Sequence, residues 1–458
     1  MEEILKEVLS RIKPKDEERN KVRQIFEEIK NRIEEKAKSL GINVRVELEG
    51  SVAKDTWIST DKDIDIFILF PHGTDKNKAK EIGLEIAKYG AGENWKIAYA
   101  EHPYIKKKID EYEVDIVPGI EIKEGERPLT AVDRTPLHTK FIKSKMDEEM
   151  KDEVRLLKQF MKGIGVYGAE LKVEGFSGYL CELLVLYYKN FKNVIKNASN
   201  WRPKTIIDYM NYYKDIPCEE IFDAPLIVID PIDRRRNVAA AVSLQSYSIF
   251  VMASKFFLEK PSIEFFFPSK LNVNLNDIIN EIKKREISLV MIKMKCPKIP
   301  SDILWGEIKK TINKFVKLIE NYDFEVIDYK AWSDEENRII FLIEVEKRKL
   351  RRGKIHQGPK IWYDEDLKKF LDKYINNEKV LAGPFIKNER IYVEILRKYN
   401  DIKDLLINEI KNLKLSKDIM NEINKGFEVY VDEEILKECE EIEDEIFSFI
   451  RKRPLWLK

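Results

Sequence analysis

Cysteine and histidine are both scarce in this chain, four of each among 458 residues. Cys181, Cys218, Cys296 and Cys439 are scattered and make no CxxC pair. That argues against a disulfide framework or a thiolate zinc site and suits a reducing compartment. Long apolar runs are missing too, since none reaches the ~18 residues that a bilayer-spanning helix needs. The stretch MEEILKEVLSRIKPKDEERN mixes acidic and basic residues without a signal-peptide core, so the expected location is cytoplasmic. Net charge is absent, because Lys and Arg total 82 and Asp and Glu also total 82. Any nucleic-acid surface therefore has to be a local patch. No internal repeat or low-complexity linker marks a boundary. What the chain does have is 43% hydrophobic residues, enough for roughly two to four domains with ample core.

Periodicity divides the chain into three parts. Residues 2–38 read as helix, interrupted near Pro14 and stopped by Gly41. In NVRVELEG, Val44, Val46 and Leu48 alternate with Arg45, Glu47 and Glu49, the period of a strand. Ile64, Ile66, Phe67, Ile68, Leu69 and Phe70 predict a strand buried on both faces. WKIAYAEHPYIKKKIDEYEVDIVPG predicts further strands with a turn at Asp110-Glu111. Residues 1–142 are thus expected to form a mixed sheet with helices. KDEVRLLKQFMKG and SGYLCELLVLYYKNF carry apolar residues three and four apart, so residues 143–270 are expected to be a helical domain. The second of these segments is apolar nearly all round and should lie at its centre. Within residues 271–458, SLVMIKMKC, DILWGEIKKTINKFVKLIENY, FEVIDYKAW, RIIFLIEVE and DEDLKKFLDKYI suggest a ferredoxin-like unit. The expected fold is α+β and multidomain.

Asp63 and Asp65 stand at the start of the buried strand DIDIFILF, where ionised carboxylates are costly unless something pairs with them. Residues two apart on a strand share a face. A third acid, Asp115, lies between Val114 and Ile116 in EVDIVPG; if its strand neighbours the first, three carboxylates converge. With 82 acidic residues, acid-x-acid pairs arise roughly 15 times by chance, so the spacing alone carries nothing. The signal is the pair on an apolar strand, shortly after Gly50-Ser51, with a third strand-borne acid further on. Hard oxygen ligands without Cys or His favour Mg²⁺ over zinc. Two such ions can activate a hydroxyl and neutralise a leaving pyrophosphate. Gly50 lets a ligand approach the backbone, and Ser51 offers a hydroxyl and an N–H at a turn, an anion nest.

The blocks GSVAKDTWISTDKDIDIFILFP, EHPYIKKKIDEYEVDIVP, AVDRTPLHTKF, DEVRLLKQFMKGIGVYGAE, GFSGYLCELLVLYY and DPIDRRRNVAAAVS resemble the DNA polymerase β-type nucleotidyltransferase superfamily. More narrowly, they resemble the archaeal (class I) CCA-adding enzymes, tRNA nucleotidyltransferases. One departure is that the family often has Glu where Asp63 stands; the charge and ligand type are kept. The resemblance implies template-free addition of CCA to the tRNA 3′ end from CTP and ATP, releasing pyrophosphate. Asp63 and Asp65 would bind both Mg²⁺ ions, and Asp115 the one that activates the 3′-hydroxyl. The resemblance also implies that Lys158 and Tyr167 contact the triphosphate and that Arg236 reads the incoming base. Lys54 stands where the family commonly has Arg and adds a positive charge.

Read from its residues alone, Lys158 is an ordinary solvated lysine on an amphipathic helix, and Lys54 an exposed one. Arg234, Arg235 and Arg236 are placed just before a helix. Asp133, Arg134, Thr135 and His138 are expected to line the same cleft near the sugar or primer end, with His102 a similar case. For tRNA, whose acceptor–T arm the family measures by shape, the best basic stretch is KRKLRRGKIHQGPKIW. Its Arg351, Arg352 and Lys354 are the candidate RNA contacts, with Gly353, Gly358 and Pro359 loosening the backbone. A homodimer is compatible with this reading. Two rivals stay open: a poly(A) polymerase or other template-independent transferase, and a non-catalytic RNA-binding protein.

Overall fold

The computed structural model describes residues 1–99, 103–122, 126, 131–214, 216–269, 274–438 and 441–457. The chain divides into two compact units. One is Met1–Ser269 with Pro454–Lys458, and the other is Lys270–Arg453. His102 lies outside the described residues. Among the described residues no helix is long and apolar enough to cross a membrane.

The first unit begins with the helices Glu2–Ile12 and Asp16–Ser39, broken at Pro14 as expected. Its main sheet contains β1 (Arg45–Glu49), β2 (Asp63–Phe70), β3 (Trp95–Tyr99), β4 (Pro103–Ile109) and β5 (Tyr112–Ile120), in the order β1-β2-β5-β4-β3. β2 and β5 run parallel while the other pairs are antiparallel. The two faces of β2 do different things. Ile64, Ile66, Ile68 and Phe70 pack into a core with Ile25, Ile29 and Ile33 of the second helix. On the opposite face Phe67 and Leu69 meet Val117 and Val132. Asp63 and Asp65 share this second face, so it begins with carboxylates and is closed further along by apolar side chains.

The helices Glu148–Gly163 and Gly178–Tyr188 follow, each started by a side-chain cap: Asp147 accepts from the Met150 amide and Ser177 from that of Leu180. The Gly178–Tyr188 helix is buried along Leu180–Leu186, with Phe160, Phe176 and Phe250 in the same core. Trp456, near the C-terminal end, joins that core, its ring tilted against that of Phe265 with the centroids 5.2 Å apart. This part also holds a small sheet of β6 (Thr205–Ile207), β7 (Leu226–Asp230) and β8 (Asp233–Asn237). Arg234, Arg235 and Arg236 lie on β8 itself. The expectation that they directly precede a helix is corrected, since the next helix begins at Leu244.

The second unit is built on β9 (Ser288–Lys295), β10 (Val326–Ser333), β11 (Arg338–Val345) and, later in the chain, β15 (Phe427–Val431). Their order is β10-β11-β9-β15 and all pairs are antiparallel. With the Ser301–Asn321 helix between β9 and β10, this is the ferredoxin-like arrangement. The Asp364–Tyr374 helix is expected from the sequence to belong to it and does not. It packs instead in a separate small sheet, β12 (Gly353–Lys360), β13 (Val380–Lys387) and β14 (Arg390–Leu396), ordered β12-β14-β13. Gly353 and Gly358 therefore sit in a strand and not in loose backbone. A Cβ at Gly358 would collide with Ile391 and Phe370. Pro359 falls at the irregularity between Gln357 and Lys360 on this edge strand, a position that tolerates a missing donor.

Candidate active site

Register brings the acids together. Asp65 pairs with Asp115 across the parallel β2–β5 ladder, and Asp63 with Glu113. Asp65 is also opposite Glu49 on β1, and Asp115 is opposite Lys106 on β4. Directly opposed residues point to the same face, so Glu49, Asp65, Asp115 and Lys106 form one row across four neighbouring strands. Burial and mutual repulsion act on this row. Asp63 is pushed up to about 6 by burial and by Asp61 and Asp65. Asp115 is pushed up to about 7, chiefly by burial. Burial raises Asp65 as well, against the pull of Lys54 and Lys106. Lys106 loses from burial, but its hydrogen bond to Glu113 (2.9 Å) and the nearby Asp115 hold it above the ordinary lysine value.

Gly50 and Ser51 open the single helical turn Gly50–Ala53 that follows β1. Gly50 has φ +65°, and a Cβ there would collide with Asp65 Oδ2, so both backbone conformation and space require glycine. Gly50, Ser51, Asp63, Asp65 and Asp115 line one cavity of about 340 Å³, with Lys54, Lys158 and Tyr167 on its walls. The sequence-derived residues of the acid and triphosphate groups thus meet in one place. Asp115 Oδ1 is buried there with no hydrogen-bond partner. Among the described residues, no group of three or more His, Cys, Asp or Glu side chains is arranged to hold a cation as it stands. The fit to a divalent ion rests on the donors: hard, partly buried carboxylate oxygens with raised pKa values, one of them unsatisfied.

Lys54 and Lys158 are not the solvated lysines that their local sequence suggests. They are 7% and 1% exposed. Lys54 Nζ lies 2.6 Å from Glu182 Oε2, and Lys158 Nζ donates to the Thr56 carbonyl at 3.0 Å. Glu182 was missed by sequence reading, although it is an isolated charge in an otherwise apolar helix, the same signal that drew attention to Asp63 and Asp65. Despite burial, which works against its ionised form, Lys54 and Lys158 hold its carboxyl below the ordinary glutamate value. Tyr167 follows Gly165, with φ +78°. Its ring reaches the same wall because residue 178 is glycine; a Cβ there would lie 3.1 Å from the Tyr167 hydroxyl and 3.5 Å from Lys158 Nζ.

Arg236 and His138 are gathered elsewhere, around a second missed residue. Asp230, wholly buried at the end of β7, sits 2.9 Å from Arg236 Nη1, 3.0 Å from His138 Nε2 and 3.2 Å from the Tyr179 hydroxyl. Burial acts to raise the Asp230 carboxyl, but His138, the Ile232 amide and Arg236 hold it below the ordinary value. Tyr179 stacks on His138 at 3.8 Å and also lines the carboxylate cavity, so its ring and hydroxyl join the two groups. Arg134 lines a depression with Arg236, whereas Asp133 faces a different one, lined also by Phe26, Arg45 and Lys143. In the second unit, Arg351 pairs with Glu394 at 2.8 Å and Lys354 with Asp323 at 3.1 Å, while Arg352 is exposed.

Comparisons with known proteins cover nearly the whole chain. Residues 26–138 match the nucleotidyltransferase domain, residues 152–267 the second domain of tRNA nucleotidyltransferase, and residues 285–432 the C-terminal domain of the CCA-adding enzyme. The CCA-adding enzyme of Sulfurisphaera tokodaii is 41% identical over 457 residues, covering 99% of this chain and 100% of that protein. That of Sulfolobus acidocaldarius is 37% identical, covering 99% of each. That of Pyrobaculum islandicum is 41% identical over 409 residues, covering 89% of this chain and 93% of that protein. With its polymerase β-type catalytic domain and full-length similarity to these archaeal proteins, the chain belongs to the family of CCA-adding enzymes, the tRNA nucleotidyltransferases.

Proposed function

We propose that this chain adds CCA to the 3′ end of tRNA in the cytoplasm, taking CMP from CTP and then AMP from ATP. The observation that carries the reading is the row of strand-borne carboxylates facing buried Lys54 and Lys158 across one cavity, in a chain similar along its length to CCA-adding enzymes. Asp63, Asp65 and Asp115 are the residues to hold Mg²⁺, which when bound supplies charge neutralisation for the triphosphate and for the leaving pyrophosphate.

The chain's own groups divide the remaining work. The Ser51 hydroxyl and turn amides, with Lys54, Lys158 and Tyr167, grip the triphosphate. The RNA 3′-oxygen attacks the α-phosphorus, the bond to the β-phosphate bridge breaks, and pyrophosphate leaves. Asp115, beside the ion site, is placed to accept the proton that the attacking hydroxyl releases. Arg236, steadied by Asp230, presents a planar donor fork to the base. Arg351, Arg352 and Lys354 contact the tRNA backbone; exposed ion pairs such as that of Arg351 are weak enough to be exchanged for phosphates. The reading accommodates a homodimer.

The deciding experiment supplies tRNA lacking CCA, each nucleoside triphosphate separately and together, and Mg²⁺. Two additions from CTP, one from ATP after them, and then arrest are expected. Long tails from ATP alone would identify a poly(A) polymerase. An absence of metal-dependent incorporation would leave an RNA-binding protein.

A further inference from the structure

We propose that Glu182 is a positioning residue of the triphosphate subsite: its carboxylate holds Lys54 and Lys158 where their ammonium groups meet the phosphates. The inference rests on the reading of this cavity as a nucleoside triphosphate site.

The helix GYLCELLVLYY has Glu182 as its one acidic or basic residue, and the side chain is 0% exposed. Burying a carboxylate there is costly unless every oxygen finds a partner. The partners come from two separate places in the sequence, the segment after Gly50–Ala53 and the Glu148–Gly163 helix. Lys54, which ends the Gly50–Ala53 turn, reaches Oε2, and the Thr56 hydroxyl donates to Oε1. Lys158, midway along the Glu148–Gly163 helix, lies 3.9 Å from Oε1 and also contacts Thr56 Oγ1 at 3.3 Å. Both ammonium groups sit on the cavity wall that faces Asp63, Asp65 and Asp115. A lysine has a flexible four-carbon stem, and two ammonium groups so close repel each other. A carboxylate between them removes the repulsion and fixes both stems before any ligand arrives, the preorganisation that lowers the ordering cost of binding. Arg155 braces the same segment from the neighbouring turn of its helix, donating to the Trp57 carbonyl at 3.0 Å and to Asp55 Oδ1 at 2.7 Å.

Charge alone would act with the opposite sign. Glu182 is a negative charge beside an anion site, so if charge alone mattered its removal would tighten phosphate binding. If position matters, removal loosens it. The probe is inorganic tripolyphosphate with Mg²⁺, titrated calorimetrically into the full chain. Glu182→Gln is expected to weaken binding about tenfold or more, and Glu182→Asp, which keeps the charge but withdraws it by one methylene, by an intermediate factor. In a Lys54→Met background the cost of Glu182→Gln should shrink to about threefold or less, because the two groups act as a unit. In CMP incorporation, KM for CTP should rise while KM for tRNA stays unchanged.

Unchanged or tighter tripolyphosphate binding by Glu182→Gln, or an equal cost in both backgrounds, overturns the proposal. Should Glu182→Gln fail to fold, Glu182→Asp decides, since unaltered affinity there has the same consequence. Wild-type protein that binds no tripolyphosphate overturns the nucleotide-site reading along with it, whereas binding that the variants leave intact overturns the role of Glu182 alone.

Discussion

Asp65 and Asp115 are register partners on the parallel strands β2 and β5, which places two like-charged side chains on one face about 4.8 Å apart along the hydrogen-bonding direction. The positive charges of Lys54 and Lys106 offset only part of the burial that raises Asp65. Lys106 is opposite Asp115 on the far side and pairs with Glu113, and Glu49, beside Asp65, adds a further acid. Such a row is unfavourable for stability and informative about chemistry, because a divalent cation relieves it.

Asp65→Asn removes a central member of the row. Incorporation of CMP and AMP should fall together by about a hundredfold or more, the scale for losing one group that stabilises transition-state charge. The Tm of the metal-free protein should stay or rise as repulsion is relieved. Loss of one incorporation with retention of the other would contradict a single site.

The pH dependence of stability follows from the same burial. Asp63, Asp115 and Glu49 have folded pKa values of about 6, about 7 and about 7, against ordinary values of 3.8, 3.8 and 4.5. Between these limits the folded chain keeps protons that the unfolded chain has released. The groups' contribution is therefore complete below about pH 4 and lost as pH rises through about 6 to 7. The Tm of the metal-free protein should fall between about pH 5 and pH 8, and Asp115→Asn should flatten that fall. Mg²⁺ should raise Tm more at the alkaline end, since the ligands must be deprotonated. A Tm that climbs across this window in the metal-free protein would be inconsistent with buried, protonated carboxyls.

Two glycines with positive φ separate space from backbone. At Gly50 (φ +65°) an added methyl would strike Asp65, while at Gly165 (φ +78°) nothing lies within 4 Å. Gly165→Ala should cost only the left-handed backbone penalty, about 1–2 kcal/mol, seen by denaturant titration. Gly50→Ala should in addition displace Asp65 and lower kcat by about a hundredfold, the effect of roughly an ångström of misplacement. Equal activity in the two variants would remove Asp65 from the reaction.

Arg236 tests base recognition. Arg236→Ala should lower kcat/KM for CTP and ATP about 10- to 100-fold, the worth of one bidentate base contact, and that for UTP and GTP less. Arg236→Lys should recover binding without selectivity, because the planar fork is gone. Equal losses for all four nucleotides would reassign Arg236 to a phosphate.

Neutralising Arg351, Arg352 and Lys354 should weaken tRNA binding at low salt and make its logarithmic salt dependence shallower by roughly one for each phosphate no longer engaged. Affinity measured over a salt series decides this. An unchanged slope would leave these residues as solvated surface.

Much of this protein is legible in its amino-acid sequence. The strand DIDIFILF, the Gly50-Ser51 turn, the third acid in EVDIVPG and the mixed sheet all follow from period-two patterning, turn chemistry and the cost of burying charge. Tertiary structure alone decided that β2 pairs with β5 in the register that sets Asp65 beside Asp115. It also decided that Lys54 and Lys158, ordinary surface lysines by local pattern, are buried against Glu182, and that Asp230 collects Arg236, His138 and Tyr179. The reason is physical. Periodicity tells which face of an element avoids water, but a lysine's surroundings depend on what packs across from it. Those partners lie far away in the chain, 128 residues for Lys54 and Glu182.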